Sequence, residues 1–93
     1  MHNSLVEIEF DPRKAAANLR KHRVSFEEAA SCLLDAHALV MEDDRSVDES
    51  RWVLVGMSAR ARLLTAVYTL RGDNPRLISA RKATTKEMKS YAS

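Results

Sequence analysis

The sequence predicts an α+β fold: one small domain in which an antiparallel β-meander is packed by two N-terminal helices and a short C-terminal helix. Three observations carry that expectation. The 93 residues are 45% hydrophobic and 30% charged, ordinary globular proportions, and a chain of this size buries about 60–65% of its unfolded surface, enough for a single core. Helix-start signals followed by helical apolar spacing occur twice before residue 35. Three strand-like segments then run from Arg51 to Lys82, joined by links too short for anything but antiparallel neighbours.

The elements follow in order. Ile8 and Phe10 alternate with Glu7, Glu9 and Asp11, the pattern of a short strand with one wet face. Asp11-Pro12 starts a helix, with Asp as N-cap and Pro at the first helical position, where its missing N–H costs nothing. Ala15, Ala16, Ala17 and Leu19 continue it to about His22, and Lys21, His22 and Arg23 suit the negative end of its dipole. Ser25-Phe26-Glu27-Glu28 reads as a capping box, with Glu28 reaching back. Behind it Phe26, Ala29, Ala30, Leu33 and Leu34 fall on one helical face. Ala38 to Met41 is a short apolar strand candidate. Residues 42–49 are a loop by composition. Arg51 to Ser58, Leu63 to Leu70 (apolar enough to be central) and Arg76 to Lys82 are the next strands. Thr84-Thr85-Lys86-Glu87 is a second capping box, opening a last helix that reaches Tyr91.

Composition limits the function classes. A lone cysteine, Cys32, forms no internal disulfide, and a reducing compartment follows as the expectation. Met1 is followed by polar His2, Asn3 and Ser4, and no stretch nears the roughly 18 apolar residues of a membrane helix. A soluble cytoplasmic protein is expected. The net charge of +2 hides a split. Residues 1–50 hold six basic and eleven acidic residues, a balance of −5, and residues 51–93 hold nine basic and two acidic, a balance of +7. Such segregation points to a polyanion or an acidic protein as partner of the second half. Against it stands a solvated basic face that only aids solubility.

The residue types exclude much chemistry. With only Gly56 and Gly72, no glycine-rich phosphate loop exists. His2, His22 and His37 lack metal spacing, and one cysteine builds no structural zinc site. Asp43, Asp44, Asp48 and Glu49 lack the glycine and terminal Glu of a calcium loop, and a solvated acidic loop is the better reading. Cys32 reads as a buried, inert thiol. What remains is arginine, lysine, tyrosine and a few carboxylates, a set that can run metal-free RNA cleavage. A base takes the 2′-hydroxyl proton, the oxygen attacks the adjacent phosphate, and cations stabilise the phosphorane. Strict alternation along the last strand puts Arg76 with Ile78, Ala80 and Lys82 on one face, and Arg81 with Leu77 and Ser79 on the other. Not all the cations then line one cleft.

Three ordered stretches resemble a known family. They are Phe10-Asp11-Pro12-Arg13-Lys14-Ala15 through His22 with Val24-Ser25-Phe26-Glu27-Glu28-Ala29; Glu49-Ser50-Arg51-Trp52 with Gly56 and Arg62-Leu63-Leu64; and Tyr68-Thr69-Leu70-Arg71-Gly72-Asp73 with Arg76-Leu77-Ile78-Ser79-Ala80-Arg81-Lys82-Ala83-Thr84. From about Phe10 to Tyr91 the chain is similar to BrnT-type toxins. The resemblance implies a type II toxin with a RelE-like ribonuclease fold that cleaves RNA and inhibits translation. It also implies a cognate ribbon-helix-helix antitoxin of BrnA type as partner, in a hetero-oligomer that meets operator DNA through the antitoxin. No cofactor and no metal is implied. Arg62, Arg81 and Lys82 become candidate phosphate or transition-state contacts, Tyr68 a candidate proton-transfer group, and Tyr91 a base-stacking or acid group. Glu49, Arg51, Arg60 and Arg76 become candidate substrate-binding residues. Tyr68 as plain core and Glu49–Arg51 as a surface pair worth little stand as structural alternatives. Lys14 and His22 read as a solvated helix face and a helix-end cation. Two departures stand out: Arg23 where the family usually carries glycine, at a helix exit suited to φ > 0, and Pro75, which marks an edge or a strand start. The competing function is a non-catalytic basic module that docks an acidic protein or nucleic acid.

Overall fold

The computed structural model describes residues 7–43 and 49–93. Eight elements appear in the expected order: β1 (Glu9–Phe10), α1 (Pro12–His22), α2 (Phe26–Cys32), β2 (Leu39–Asp43), β3 (Arg51–Met57), β4 (Leu63–Arg71), β5 (Asn74–Lys82) and α3 (Thr85–Ala92). The meander is real for β2 to β5, whose neighbours all pair antiparallel. The sheet as a whole is mixed, in the order β1-β5-β4-β3-β2, because β1 adds parallel to β5 through Glu9 opposite Arg76 and Phe10 opposite Leu77. That pairing joins residues 67 apart, so no local turn chemistry announces it. β4 is central, as its apolar run requires. Pro75 pairs near the start of β5, where a missing donor does least harm.

α1 and α2 lie on one face of the sheet, where the core forms from Val24, Phe26, Ala29 and Cys32 against Leu54, Leu64, Ala66, Tyr68, Leu77 and Ala80. Phe10 meets Phe26 edge-on at 5.5 Å between ring centroids, the arrangement aromatic quadrupoles favour. Gly56 lets α2 come close: a Cβ there would stand 3.0 Å from the Cys32 carbonyl oxygen. α3 crosses the other face, over which Val55 and Thr65 are buried.

Buried Asn18 solves an edge problem. β1 covers only two residues of β5, and beyond it the Asn18 carboxamide takes over. Its nitrogen donates to the Ala80 carbonyl (2.8 Å) and its oxygen accepts from the Ala80 N–H (3.1 Å), as a strand would. The same nitrogen also donates to the Val24 carbonyl (3.0 Å) and ties down the α1–α2 turn.

Three local expectations need correction. α2 stops at Cys32, and Leu34 is 82% exposed. Successive i→i+3 bonds from Leu33, Leu34 and Asp35 to Ala30, Ser31 and Cys32 tighten the exit and carry Leu34 off the apolar stripe. Glu28 makes only half a capping box: its N–H donates to Ser25 Oγ (3.0 Å), while its carboxylate turns away to a stronger charged partner. Along β5, Val67 faces Ser79 but Tyr68 faces Leu77, so Ile78 is an inserted residue. The bulge reverses the parity of the strand. Leu77 and Ala80 both enter the core, and Arg76 and Arg81 share the α3 face instead of opposing one another. Of the acidic loop, Asp43 closes β2 and Glu49 precedes β3; Asp44, Asp48 and the rest of residues 44–48 lie outside the described residues. Among the described residues no helix is long and apolar enough to cross a membrane.

Candidate functional site

The predicted site residues divide between the two faces of the sheet. On the helical face, the turn Ser58–Arg62 after β3 is fastened to α2. Arg62 grips Glu28 through both carboxylate oxygens, with Nε 2.9 Å from Oε2 and Nη2 on Oε1. The Ser58 hydroxyl donates to the same carboxylate at 2.7 Å. Glu28 is nearly sealed from solvent, its side chain 4% exposed. The Arg62 guanidinium, first, and the Ser58 hydroxyl then hold its carboxyl at about 2 against the opposing effect of burial. The turn itself closes through Ser58 N–H to the Arg62 carbonyl (2.8 Å), with Ala61 at φ 61°. Ser31 Oγ accepts from Ala59 N–H and Asp35 Oδ2 from Met57 N–H, both at 2.8 Å. Arg60 projects outward, its side chain 75% exposed and one nitrogen 3.9 Å from Glu28. Arg62 Nη2 also reaches the Arg23 carbonyl at the end of α1, at 3.4 Å. Lys82, exposed, pairs opposite Leu64 at this same end of the sheet.

On the α3 face, Glu87 organises the cations. It completes the capping box expected from the sequence, accepting from Thr84 N–H (2.8 Å) while Thr84 Oγ1 accepts from its own N–H (3.1 Å). It also takes Thr65 Oγ1 (2.9 Å) and both terminal nitrogens of Arg81 (2.8 and 3.0 Å). Paired with Arg81 above all, the Glu87 carboxyl sits at about 2. The Arg81 guanidinium stays 42% exposed and borders an open depression of about 290 Å³ floored by Met41, Val53 and Val67. Arg76 is on this face too, 3.5 Å from Glu9. Arg51 stands exposed at the start of β3, opposite Asp43, and exposed Glu49 lies two residues before it.

The two tyrosines are apart from both groups. Tyr68 is a core residue between Trp52 and Leu77, and burial pushes its phenol up. Tyr91 donates its hydroxyl to Asp35 Oδ2 at 2.6 Å, which fixes the end of α3 to the turn after α2. That bond lowers Asp35 and raises Tyr91. Cys32 is fully buried, and loss of solvent is the first cause of its thiol standing at about 11. Among the described residues no three or more His, Cys, Asp or Glu side chains gather as metal ligands would.

Chemically, these groups offer positioned guanidinium donors suited to planar phosphate oxygens. Neither carboxylate is near neutrality, because each is committed to an arginine. Glu28, Glu87, Asp35 and Asn18 organise these contacts and were not among the candidates. Glu28 and Glu87 are legible in the sequence only as capping residues, and Asn18 only as a polar residue inside an alanine-rich helix.

A family model described as "Ribonuclease toxin, BrnT, of type II toxin-antitoxin system" matches residues 10–87. The chain is similar to a solved structure, the 1.1 Å crystal structure of the Brucella abortus ribonuclease toxin, BrnT, with a TM-score of 0.67 and 20% identity. That match covers 87% of this chain and 100% of the other, and at this identity it speaks for the fold. No curated protein matches.

Proposed function

The chain belongs to the BrnT family of ribonuclease toxins of type II toxin–antitoxin systems, and from that premise we propose a metal-independent endoribonuclease that inhibits translation by cutting RNA. In this reading a cognate ribbon-helix-helix antitoxin of BrnA type neutralises it and carries the pair to operator DNA. The observation that carries the reading is the family match over residues 10–87, which contains every candidate site residue except Tyr91.

The chemistry is transesterification. The ribose 2′-oxygen attacks the adjacent phosphorus, the bond to the 5′-oxygen breaks, and the products are a 2′,3′-cyclic phosphate and a free 5′-hydroxyl. Arg81, held by Glu87 yet part-exposed beside the depression, stabilises charge on the phosphorane, with Lys82 following it in the strand. Preorganised donors of this kind commonly supply the largest catalytic contribution. Arg51 and Arg76 hold flanking phosphates on the α3 face. Arg60 does so on the other, where Arg62 positions the turn that presents it. Tyr68 and Tyr91, both with raised phenol pKa values, stay protonated at neutral pH, so neither is suited to removing the 2′-proton, and neither stands beside Arg81.

Induced expression with mapping of RNA ends tests this. Growth arrest, cyclic-phosphate ends and rescue by the adjacent antitoxin gene are expected. A harmless wild type that binds RNA or an acidic protein without cutting would establish the basic docking module instead. Arg81→Ala and Tyr68→Phe proteins that cut at full rate would remove those two residues from the site.

A further inference from the structure

The arginines of the candidate site are largely committed: Arg62 to Glu28, Arg76 to Glu9 and Arg81 to Glu87. Elsewhere the structure leaves guanidinium groups without such partners. Arg20 and Arg23, in the last turn and C-cap of α1, are exposed and border a surface depression with Leu19. Neither side chain is paired with a carboxylate among the described residues. Arg60 is carried by the Ser58–Arg62 turn, which Arg62 joins to the Arg23 carbonyl at 3.4 Å. Its one carboxylate neighbour, Glu28, is 3.9 Å away and already engaged by Arg62.

We propose that Arg20, Arg23 and Arg60 form a phosphate-binding corner that holds the backbone of single-stranded RNA beyond the cleavage site. The proposal rests on the ribonuclease reading above.

Arg23 is the most telling residue. It has φ 59° and ψ 33°, the left-handed conformation in which a Cβ is disfavoured and glycine is usual. What the fold takes from this position is backbone only: its N–H donates to the Leu19 carbonyl at 2.9 Å, and its carbonyl accepts from Arg62. Glycine would make both bonds without strain, so the side chain serves no visible purpose in folding. A strained residue with an exposed side chain is a reason to look for a function of that side chain. Arg62 gives the corner its shape. Its guanidinium binds Glu28 on α2 and the Arg23 carbonyl at the C-cap of α1, and its main-chain carbonyl accepts from Ser58 N–H to close the turn that carries Arg60. Glu28 and Arg62 are therefore positioning residues, and the three outer arginines are the ligands. Lys82 pairs opposite Leu64, two residues after Arg62.

The ligand is a phosphodiester backbone more than an acidic protein. The corner offers several free guanidiniums, which take phosphate bidentately, and only Leu19, 49% exposed, as an apolar anchor. An acidic helix would need a wider apolar strip to dock.

The test uses the full chain and a single-stranded 2′-O-methyl oligonucleotide, which cannot be cut through its 2′-oxygen. Affinity is measured against salt for wild type and an Arg20→Ala, Arg23→Gly, Arg60→Ala variant. Each phosphate contact on a single strand contributes about 0.7 to the slope of log affinity on log salt. The variant should therefore lose about 2 of that slope, and a Lys89→Ala control none. On a long RNA, KM should rise several-fold while kcat holds. Arg23→Gly alone should raise the melting temperature while weakening RNA binding, which a merely structural arginine would not do. An unchanged slope overturns the corner, as does a variant that loses antitoxin affinity and keeps RNA affinity. If the slope falls but wild type cuts no RNA, the corner stands and the ribonuclease reading fails.

Discussion

Replacing Glu28 with glutamine should unfold this protein under conditions where the wild type is secure. The carboxylate is 4% exposed, accepts two bonds from Arg62 and one from Ser58, and fastens α2 to the β3–β4 turn. Holding a carboxyl at about 2 when its ordinary value is 4.5 corresponds to about 3 kcal/mol in favour of the ionised folded state. Removing one partner of a buried pair commonly costs 3–5 kcal/mol. Arg62 is 29% exposed and can turn to water, so the lower end applies, about 2–3 kcal/mol. For a domain of this size that is a fall of roughly 10–20 °C in Tm. Urea denaturation followed by far-ultraviolet circular dichroism measures it directly, with an unchanged m-value. The pH dependence supplies a second check. A depressed folded pKa gives stability that is fully present above about 4.5 and is lost as pH falls toward 2. Wild type should therefore weaken between about pH 5 and pH 2, and Glu28→Gln should weaken less. A loss below about 0.5 kcal/mol, or acid profiles that superimpose, would show that Glu28 does not hold α2 to the turn.

Other expectations follow from the same contacts. Asn18→Ala strands the buried Ala80 N–H and carbonyl and frees the Val24 carbonyl, at about 1–3 kcal/mol for each group left unsatisfied; amide exchange at Ala80 should accelerate, and slow exchange there would contradict the edge-pairing role. Glu87→Gln removes the counter-ion of Arg81 and part of the α3 cap, costing about 1–2 kcal/mol and flattening the acid limb below pH 5, since this carboxyl too is held near 2; calorimetry at pH 7 and pH 3 reads both effects. Cys32, buried with its thiol at about 11, should react with a thiol reagent only as fast as the protein unfolds; rapid labelling of the native state would show the core to be open.

What could be read from sequence was what local chemistry controls. Asp11-Pro12 starts α1, whose Asp11 side chain accepts from Arg13 N–H at 2.8 Å, and Thr84 with Glu87 starts α3, because both ends of each interaction lie within three residues. β4 is central because an apolar run must be covered on both faces. The failures are long-range. Glu28 carries the same local signature as Glu87, yet Arg62, 34 residues away, offers two charged donors where the N-cap offers one neutral N–H. β1 finds its parallel partner 67 residues away. The extra residue at Ile78 changes which arginines share a face, and a bulge leaves no mark on a pattern of alternating residues. The same long range separates two of the arginines from the carboxylates that hold them: Glu28 lies 34 residues from Arg62 and Glu9 lies 67 from Arg76.

The proposed function requires that positioned guanidinium groups, with no metal ion, let this chain cut RNA. The most direct measurement is cleavage of single-stranded RNA by purified protein with excess chelator present, wild type beside Arg81→Ala. An undiminished wild-type rate, cyclic-phosphate ends, and a loss of at least about a hundredfold in the variant are expected, in line with removal of one transition-state donor. Activity that disappears with chelator and returns with magnesium would contradict it.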